Sequence, residues 1–145
     1  MRYAVMSLMA MLVIAADAPK NELEGRWDLV RVEHGGQVTP AWRSYYKHIY
    51  FDCKEYEYGS DANPSIRGRF DLGTYRLDPD RNPKELDFIA KHPGPGENTR
   101  KGIYELDGDT LRFALAEPGR PRPTKFTPEL TIEVWKRGRL NPHGQ

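Results

Sequence analysis

Residues 102–126 read GIYELDGDTLRFALAEPGRPRPTKF, and this stretch decides the fold. Two alternating runs, Arg100–Leu106 and Thr110–Ala116, flank the residues Asp107-Gly108-Asp109. An Asp-Gly step between two alternating runs is a strong signal for a β-hairpin. The segment Pro118–Pro123 then leaves the hairpin in an extended conformation that its prolines stiffen.

The same hairpin pattern occurs once more upstream. The motif G-x-Y-x-L-D stands at Gly73–Asp78 and at Gly102–Asp107, and L-x-F stands at Leu86–Phe88 and at Leu111–Phe113. Strand periodicity places the apolar residues of both copies on one face of a sheet. These residues are Tyr75, Leu77, Leu86, Phe88, Tyr104, Leu106, Leu111, Phe113 and Leu115. Charged residues occupy the other face, so we expect an antiparallel sheet buried on one side only.

Further short strands are predicted on both sides of this repeat. They are Trp27–Glu33, the hairpin of Ile49–Asp52 and Glu55–Tyr58, and Leu130–Arg137. No helical layer is predicted to cover the apolar face, and curling into a barrel buries that face and removes exposed edges. The predicted fold is therefore all-β, an up-and-down antiparallel β-barrel of about eight strands with one short helix after the first strand.

That short helix is predicted to begin at Thr39-Pro40, with threonine as the N-cap and proline at the first helical position. Trp42, Tyr45 and Tyr46 then fall at i, i+3 and i+4, which places them on one face. These aromatic residues either close one barrel mouth over a ligand or pack there as core.

Length and charge set limits on organisation and partners. The 145 residues are expected to form one domain over residues 21–138, followed by a loose tail at 139–145. Lys and Arg number 22 and Asp and Glu number 21, a formal net charge of +1. Nucleic acids and anionic membranes attract proteins through a basic field, so this balance argues against both as the main partner.

The N-terminus has the pattern of a secretory signal peptide. Arg2 precedes the 13-residue apolar run Ala4–Ala16, and Ala18 adds a further small residue. A bilayer span takes about 20 residues, so this run is too short for one. We expect residues 1–16 to be removed, with cleavage after Ala18 as the less favoured alternative. The mature protein would then be exported, periplasmic or extracellular, with no transmembrane span.

Cys53 is the only cysteine of the chain, so no disulfide can form within it. Cys53 and Lys54 occupy the predicted turn between Ile49–Asp52 and Glu55–Tyr58, and a turn position leaves the thiol exposed. The alternative is a buried and inert cysteine, which is the commoner environment for this residue.

The first strand opens with Gly25-Arg26-Trp27, which resembles the G-x-W motif of lipocalins. Over nearly the whole mature chain, the sequence resembles a family of uncharacterised lipocalin-like domains abundant in planctomycete bacteria. The matching segments are Leu23–Trp27, Pro40–Lys47, Tyr50–Lys54, Gly102–Arg112 and Pro118–Phe126. The resemblance implies a lipocalin-like barrel, export, and a structural plug at one barrel end that includes Gly25 and Trp27. It implies no catalytic activity.

The lipocalin resemblance also implies that a basic residue of the last strand packs across Trp27. If Ile132 faces inward, strand parity turns Lys136 inward too, and its ammonium can lie over the indole ring. The competing register places Trp135 and Arg137 inward instead. We favour Lys136 as the structural partner of Trp27.

No catalytic residue, metal site or cofactor is predicted. Asp78-x-Asp80-x-Asn82 has the opening spacing of a calcium-binding loop. Pro83 stands where that loop needs glycine and Ile89 where it needs glutamate, so a solvated turn is favoured. The four histidines are scattered without metal-binding spacing, and no nucleophile or phosphate-loop motif occurs.

Three basic residues, Arg120, Arg122 and Lys125, cluster in the proline segment. They can bind an anion or a partner, or they can simply keep an extended crossing segment soluble. The second interpretation is favoured because charge runs are usually solvated faces.

The functional expectation is an exported lipocalin-like barrel that binds a small apolar molecule. The candidate ligand-binding residues are Trp42, Tyr45, Tyr46, Tyr75 and Tyr104. The alternative is a structural or protein-interaction module of the cell envelope, with the barrel filled by its own side chains. An enzyme is not expected, since no catalytic constellation is visible.

Overall fold

The computed structural model describes residues 21–60, 71–91 and 95–138. The predicted signal segment, residues 1–16, and the predicted tail, residues 139–145, lie outside these ranges. Nine strands are formed there: β1 Gly25–His34, β2 Gln37–Pro40, β3 His48–Phe51, β4 Glu55–Gly59, β5 Leu72–Asp78, β6 Lys84–Ala90, β7 Thr99–Asp107, β8 Thr110–Leu115 and β9 Ile132–Arg137.

The strands form one antiparallel sheet in which neighbours along the chain are also neighbours in space from β3 to β9. β1 pairs with β3 on one side and with β9 on the other, so β1 and β3–β9 close into an eight-stranded barrel. This confirms the predicted all-β, up-and-down antiparallel barrel. Closure follows from the one-sided pattern of apolar residues, because it buries that face and pairs both edges.

One edge of β1 is shared by two short strands. β3 pairs with Gly25–Asp28 and β2 with Arg31–His34, while β9 runs along the opposite edge. β2 and β3 therefore behave as one interrupted strand, with residues 41–47 looping out between them. Val30 is left out of the ladder with β9, and this bulge lies where the neighbour of β1 changes.

The predicted helix is wrong in extent. Only a single 3-10 turn, Ala41–Arg43, forms, and Thr39 belongs to β2 instead of capping a helix. The ammonium of Lys47 donates hydrogen bonds to backbone carbonyl groups that would accept from backbone amides if the helix continued for another turn. It donates to the backbone oxygens of Ala41, Trp42 and Ser44 at 2.9, 3.2 and 2.7 Å.

The backbone of Lys47 explains why the turn ends there. Its carbonyl accepts a hydrogen bond from the Leu29 amide at 2.9 Å, and its amide donates to the Gly59 carbonyl at 2.8 Å. Both bonds belong to the barrel wall. Because the chain must be extended again by residue 47, too few residues remain for a helix.

The two copies of the hairpin motif are β5–β6 and β7–β8. The glycine of each motif lies where the partner strand passes close to its backbone. A Cβ on Gly73 would lie 1.9 Å from the carbonyl oxygen of Ile89, and one on Gly102 would lie 2.4 Å from that of Ala114. The glycine of G-x-Y-x-L-D is thus required by strand approach.

A second, smaller core lies outside the barrel wall. Ala114, Ile132 and Val134 are buried there, and Phe126 and Leu130 pack over them. The apolar residues of β9 are therefore covered from outside by the segment that precedes the strand. This overturns the prediction that Ile132 faces the interior.

The prediction that Lys136 points inward is wrong for the same reason. Lys136 is exposed, whereas Trp135 is fully enclosed and lies opposite Leu29 on one side and Leu111 on the other. The competing register, with Trp135 and Arg137 inward, is the one that forms.

Arg122 fixes the crossing proline segment to the barrel wall. Its guanidinium makes two contacts with the Asp87 carboxylate, at 2.5 and 3.2 Å, and donates to the Gly102 carbonyl at 2.8 Å. Glu85 lies 3.4 Å from the same group. Arg122 therefore fits neither of the two interpretations from the sequence, anion binding or solvation of the segment. Arg120 and Lys125 are exposed, as expected.

Candidate functional site

One end of the barrel is sealed by Trp27. The indole is fully buried, and its N–H donates to the Leu23 carbonyl at 2.8 Å. The Arg137 guanidinium lies 4.1 Å from the ring centroid, a cation–π contact. The same guanidinium donates to the carbonyl oxygens of Glu22 and Glu24 at 3.1 and 3.2 Å, so it ties residues 22–24 across this end. Gly25 follows at φ +118°, a conformation that favours glycine.

Tyr75 and Tyr104, two of the candidate ligand-binding residues, belong to this seal. The Tyr104 hydroxyl donates to the Glu22 carboxylate, which also accepts from the Lys84 ammonium at 2.9 Å. The Tyr75 hydroxyl donates to the Asp52 carbonyl and accepts from the Asn21 amide. Their rings are buried and their hydroxyl groups are hydrogen-bonded within the sealed end of the barrel.

The middle of the barrel is filled by aromatic side chains in contact. Tyr56 stacks on Phe88 with ring centroids 3.9 Å apart, Phe88 meets Phe113 at 5.7 Å, and Phe113 stacks on Trp135 at 6.1 Å. Offset-stacked and edge-to-face pairs of this kind stabilise a core beyond the area they bury. A long apolar ligand would have to displace this stack.

The end opposite Trp27 carries a different set of side chains. It lies where β4 ends, β5 begins and β9 begins. We call the following residues the tyrosine–carboxylate cluster: Tyr46, Tyr56, Tyr58, Asp71, Glu133 and Trp135.

Tyr58 is the centre of the tyrosine–carboxylate cluster. Its hydroxyl donates to Glu133 Oε2 at 3.0 Å, and its ring lies 4.8 Å from Tyr46 and 5.9 Å from Trp135. The Tyr46 hydroxyl donates to the carboxylate of Asp71, which is the only polar residue buried in the described ranges. Two carboxylates and three aromatic rings therefore converge at this end.

The environment of Glu133 favours its protonated form. Burial raises the pKa of Glu133 to about 7, while the Tyr58 hydrogen bond, the nearby Arg100 guanidinium and the Trp135 N–H pull it down in part. Burial also raises the pKa of Tyr46 and of Tyr58, to which Asp71 and Glu133 respectively add. The tyrosines stay neutral donors, and Glu133 titrates near neutral pH.

Two buried polar atoms at this end make no hydrogen bond of normal geometry with any described residue. They are the hydroxyl of Tyr56, which is 2 % exposed, and the indole N–H of Trp135, which is fully enclosed. The Tyr56 hydroxyl lies within the field of Asp71 and Arg100. Buried polar groups almost always have a partner, so this end is built for a further polar group.

The remaining predicted site residues do not join the tyrosine–carboxylate cluster. Trp42 is 72 % exposed and carries the Arg43 guanidinium 4.7 Å from its ring centroid, and Tyr45 is 42 % exposed. Tyr45 touches the cluster only from outside, since its ring meets that of Tyr46 edge to face at 5.1 Å. The short turn gives Trp42, Tyr45 and Tyr46 no common helical face. Cys53 is exposed at the turn position predicted for it.

Sequence reasoning missed Glu133, although the signal was present. In the register that was not favoured, Trp135 and Arg137 face inward, and parity then turns Glu133 inward as well. A single acidic residue within Thr131–Trp135, an otherwise uncharged run, identifies the site once that register is chosen.

The structure gives no sign of a metal centre or membrane helix within the residues it describes. No three His, Cys, Asp or Glu side chains there are placed to hold a metal ion, and no helix there has the length and apolar character to cross a membrane. Comparison with protein-family models, curated proteins and solved structures finds no significant match to this chain.

Proposed function

We propose that the protein is an exported lipocalin-like barrel that binds one small molecule at the tyrosine–carboxylate cluster. The observation that carries this proposal is the buried hydroxyl of Tyr56, which has no partner among the described residues. Beside it, the Trp135 N–H meets only the Glu133 carboxylate, and not in normal hydrogen-bond geometry. A ligand would supply the missing hydrogen bonds, and such groups fix ligand orientation in otherwise apolar sites.

The proposed ligand is compact. The stack from Tyr56 through Phe88 and Phe113 to Trp135 occupies the middle of the barrel, and the Trp27 end is sealed. We therefore place the ligand at the end that holds Tyr58 and Glu133. The proposed ligand carries a polar group, in contrast to the small apolar molecule expected from the sequence.

A screen by thermal shift tests the proposed function. Compounds smaller than about 15 heavy atoms, with and without charge, are added to the mature protein, and hits are verified by calorimetry. We expect at least one hit whose stabilisation is weakened, and not lost, in Tyr58→Phe and is kept in Trp42→Ala, since Trp42 lies outside the cluster. Hits that survive Tyr58→Phe unchanged, or a screen without hits, would overturn the proposal.

Export and the planctomycete family relationship belong to the same proposal. They are supported by the apolar run Ala4–Ala16 and by the motifs at Gly25–Trp27 and Gly102–Phe126. N-terminal sequencing of protein from its native host should find a chain that begins near Asp17. Cytoplasmic protein that retains Met1–Ala16 would contradict export.

A second candidate function is docking to a protein of the cell envelope. Its support is the placement of the exposed large apolar side chains, which within the described ranges all fall between residues 30 and 50. They are Val30, Val38, Trp42, Tyr45 and Tyr50. Cross-linking in intact host cells should give an adduct that Trp42→Ser removes and that Lys136→Ser, an exposed change on β9, does not. Equal adducts in both variants would count against it.

A further inference from the structure

We propose that the ligand of the tyrosine–carboxylate cluster is a small organic cation, whose ammonium group is bound by the Glu133 carboxylate and by the faces of the surrounding aromatic rings. This inference rests on the proposed function and deepens it by naming the chemical class of the ligand.

The first step concerns charge. Glu133 accepts a hydrogen bond from Tyr58 at 3.0 Å and forms no ion pair with any residue that the structure describes. A half-buried carboxylate without an ion-pair partner is costly to ionise, and a protein normally pairs it or keeps it protonated. A bound ammonium group would supply the missing charge.

Arg100 is the cationic side chain that acts on Glu133, and it compensates the charge of the carboxylate only in part. Its guanidinium donates to the Ala116 and Leu115 carbonyl oxygens at 3.2 and 3.4 Å and lies 4.0 Å from Glu117, so it is held toward β8. Arg100 lowers the pKa of Glu133, yet this pKa remains near 7 because burial outweighs it. A second cation at Glu133 would therefore stabilise the ionised carboxylate further.

The second step concerns the rings. Tyr58 and Trp135 contact the Glu133 carboxylate, and the charge of Glu133 also acts on Tyr46. The centroid of the Tyr58 ring lies 4.8 Å from that of Tyr46 and 5.9 Å from that of Trp135. Aromatic faces attract alkyl ammonium groups through the ring quadrupole, and aromatic cages with an acidic residue bind such cations. The raised pKa values of Tyr46 and Tyr58 keep both side chains neutral, so Glu133 supplies the charge that varies near pH 7.

The third step is the unpartnered Tyr56 hydroxyl. It is a buried oxygen with lone pairs, it lies on the same side of the barrel interior as Tyr58, 6.1 Å away ring to ring, and no described residue bonds to it. A primary ammonium has three N–H donors. Glu133 would accept one of them, and the Tyr56 hydroxyl is a second acceptor on a neighbouring ring that is independent of the acidic residues.

Binding of a cation at Glu133 must depend on pH. The groups that face Glu133 are Tyr58 from β4, Arg100 from β7, Trp135 from its own strand and Tyr46 from the loop before β3. Of these only Glu133 titrates near pH 7. The ionised form binds the cation, so the affinity should rise with pH up to and past 7, and binding below pH 7 should release a proton.

The test uses 2-phenylethylammonium, which stays protonated from pH 5.5 to 8.5, and its neutral counterpart 2-phenylethanol. Calorimetry on the mature protein should show the amine binding at least about 10-fold more tightly than the alcohol at pH 8. The affinity for the amine should fall by at least about 10-fold from pH 8 to pH 5.5. Glu133→Gln should remove both the preference and the pH dependence, while Trp42→Ala should change neither.

Tyr58→Phe provides a second test should Glu133→Gln fold poorly. It keeps the ring and removes the hydrogen bond that lowers the pKa of Glu133, so the pH midpoint of amine binding should move upward. Alcohol binding equal to or tighter than amine binding would overturn the cation inference and leave the proposed function standing. A pH profile unchanged in Tyr58→Phe would also overturn it. Absence of any small-molecule binding would overturn the proposed function itself.

Discussion

Trp27 is the residue on which the sealed end of the barrel depends. Its ring is fully buried, its N–H bonds to Leu23, and Arg137 covers its face. Trp27→Ala should lower the free energy of unfolding by about 3–5 kcal/mol, since it removes a buried aromatic ring and leaves a cavity.

Trp42→Ala is the matched control for that prediction. Trp42 is 72 % exposed, and surface substitutions usually change stability by less than about 0.5 kcal/mol. Both variants are compared with the wild type by denaturant unfolding. A Trp27→Ala protein as stable as Trp42→Ala would refute the structural role of Trp27.

Cys53 is predicted to react as an exposed thiol. The turn is fixed by Asp52, whose carboxylate accepts from the amides of Lys54 and Glu55 at 2.8 and 2.6 Å. The side chain of Cys53 therefore points away from the barrel at an exposed position. A thiol-labelling reagent should modify the folded protein as fast as the denatured one, and oxidation should give a reducible dimer. The dimer should be absent in Cys53→Ser, and labelling that requires denaturant would contradict the exposed turn.

At the scale of elements, the crossing segment is held to the barrel wall chiefly by Arg122. Its partners Asp87 and Glu85 lie on β6, and Gly102 lies on β7, so one side chain connects the segment to two strands. Bidentate Arg–carboxylate pairs with little exposure are worth more than ordinary surface ion pairs. Arg122→Gln should therefore lower the free energy of unfolding by about 1–3 kcal/mol.

Arg120→Gln is the control, because Arg120 is exposed on the same segment. Limited proteolysis adds a local measurement, since loss of the Arg122 contacts should expose residues 118–125 to cleavage before the barrel unfolds. Equal stability and equal cleavage of the two variants would show that Arg122 does not hold the segment.

The stretch between β1 and β3 shows how an element prediction fails. Thr39-Pro40 and the spacing of Trp42, Tyr45 and Tyr46 agree with a helix start and one helical face. In the structure, residues up to Pro40 belong instead to strand β2. The backbone of Lys47 makes hydrogen bonds to the backbone of Leu29 and Gly59 in the barrel wall. Local propensity is a weak preference, and tertiary pairing overrides it here.

For the whole molecule, Glu133 predicts how stability depends on pH. Its pKa is raised to about 7 in the folded state from an ordinary value of 4.5. Between these values the folded state holds a proton that the unfolded state has lost, so this contribution to stability is full below pH 4.5 and is lost as pH rises through 7.

Denaturant unfolding from pH 4.5 to 8 checks this sign. Over this range the free energy of unfolding of the wild type should fall by about 1–3 kcal/mol relative to that of Glu133→Gln. This is less than the full change in the pKa of Glu133 would give, because Glu133 keeps some contact with solvent. Other carboxylates, such as Glu22 and Asp52 with lowered pKa values, contribute equally to both proteins and cancel in the difference. If the difference in unfolding free energy between the two proteins does not change with pH, or if the wild type gains stability as pH rises, Glu133 is not buried as described.

The sequence by itself determined the barrel. The period-2 alternation in both copies of G-x-Y-x-L-D, the Asp-Gly turn and the turn at Cys53 specify which residues pair and which face is apolar. These signals are local, because strand parity and turn chemistry act over a few residues. An apolar face with no helical layer to cover it then leaves closure as the way to bury it.

Only the tertiary structure decided which face of β9 points inward and hence where the candidate site lies. Each parity of Ile132–Arg137 contains a buried apolar side chain, since Trp135 fills the interior while Ile132 and Val134 lie beneath Phe126 and Leu130 outside. A strand buried on both faces carries no alternation from which its register can be read. The positions of Glu133 and Arg137 depend on that register, so the site was set by packing between segments far apart in the chain.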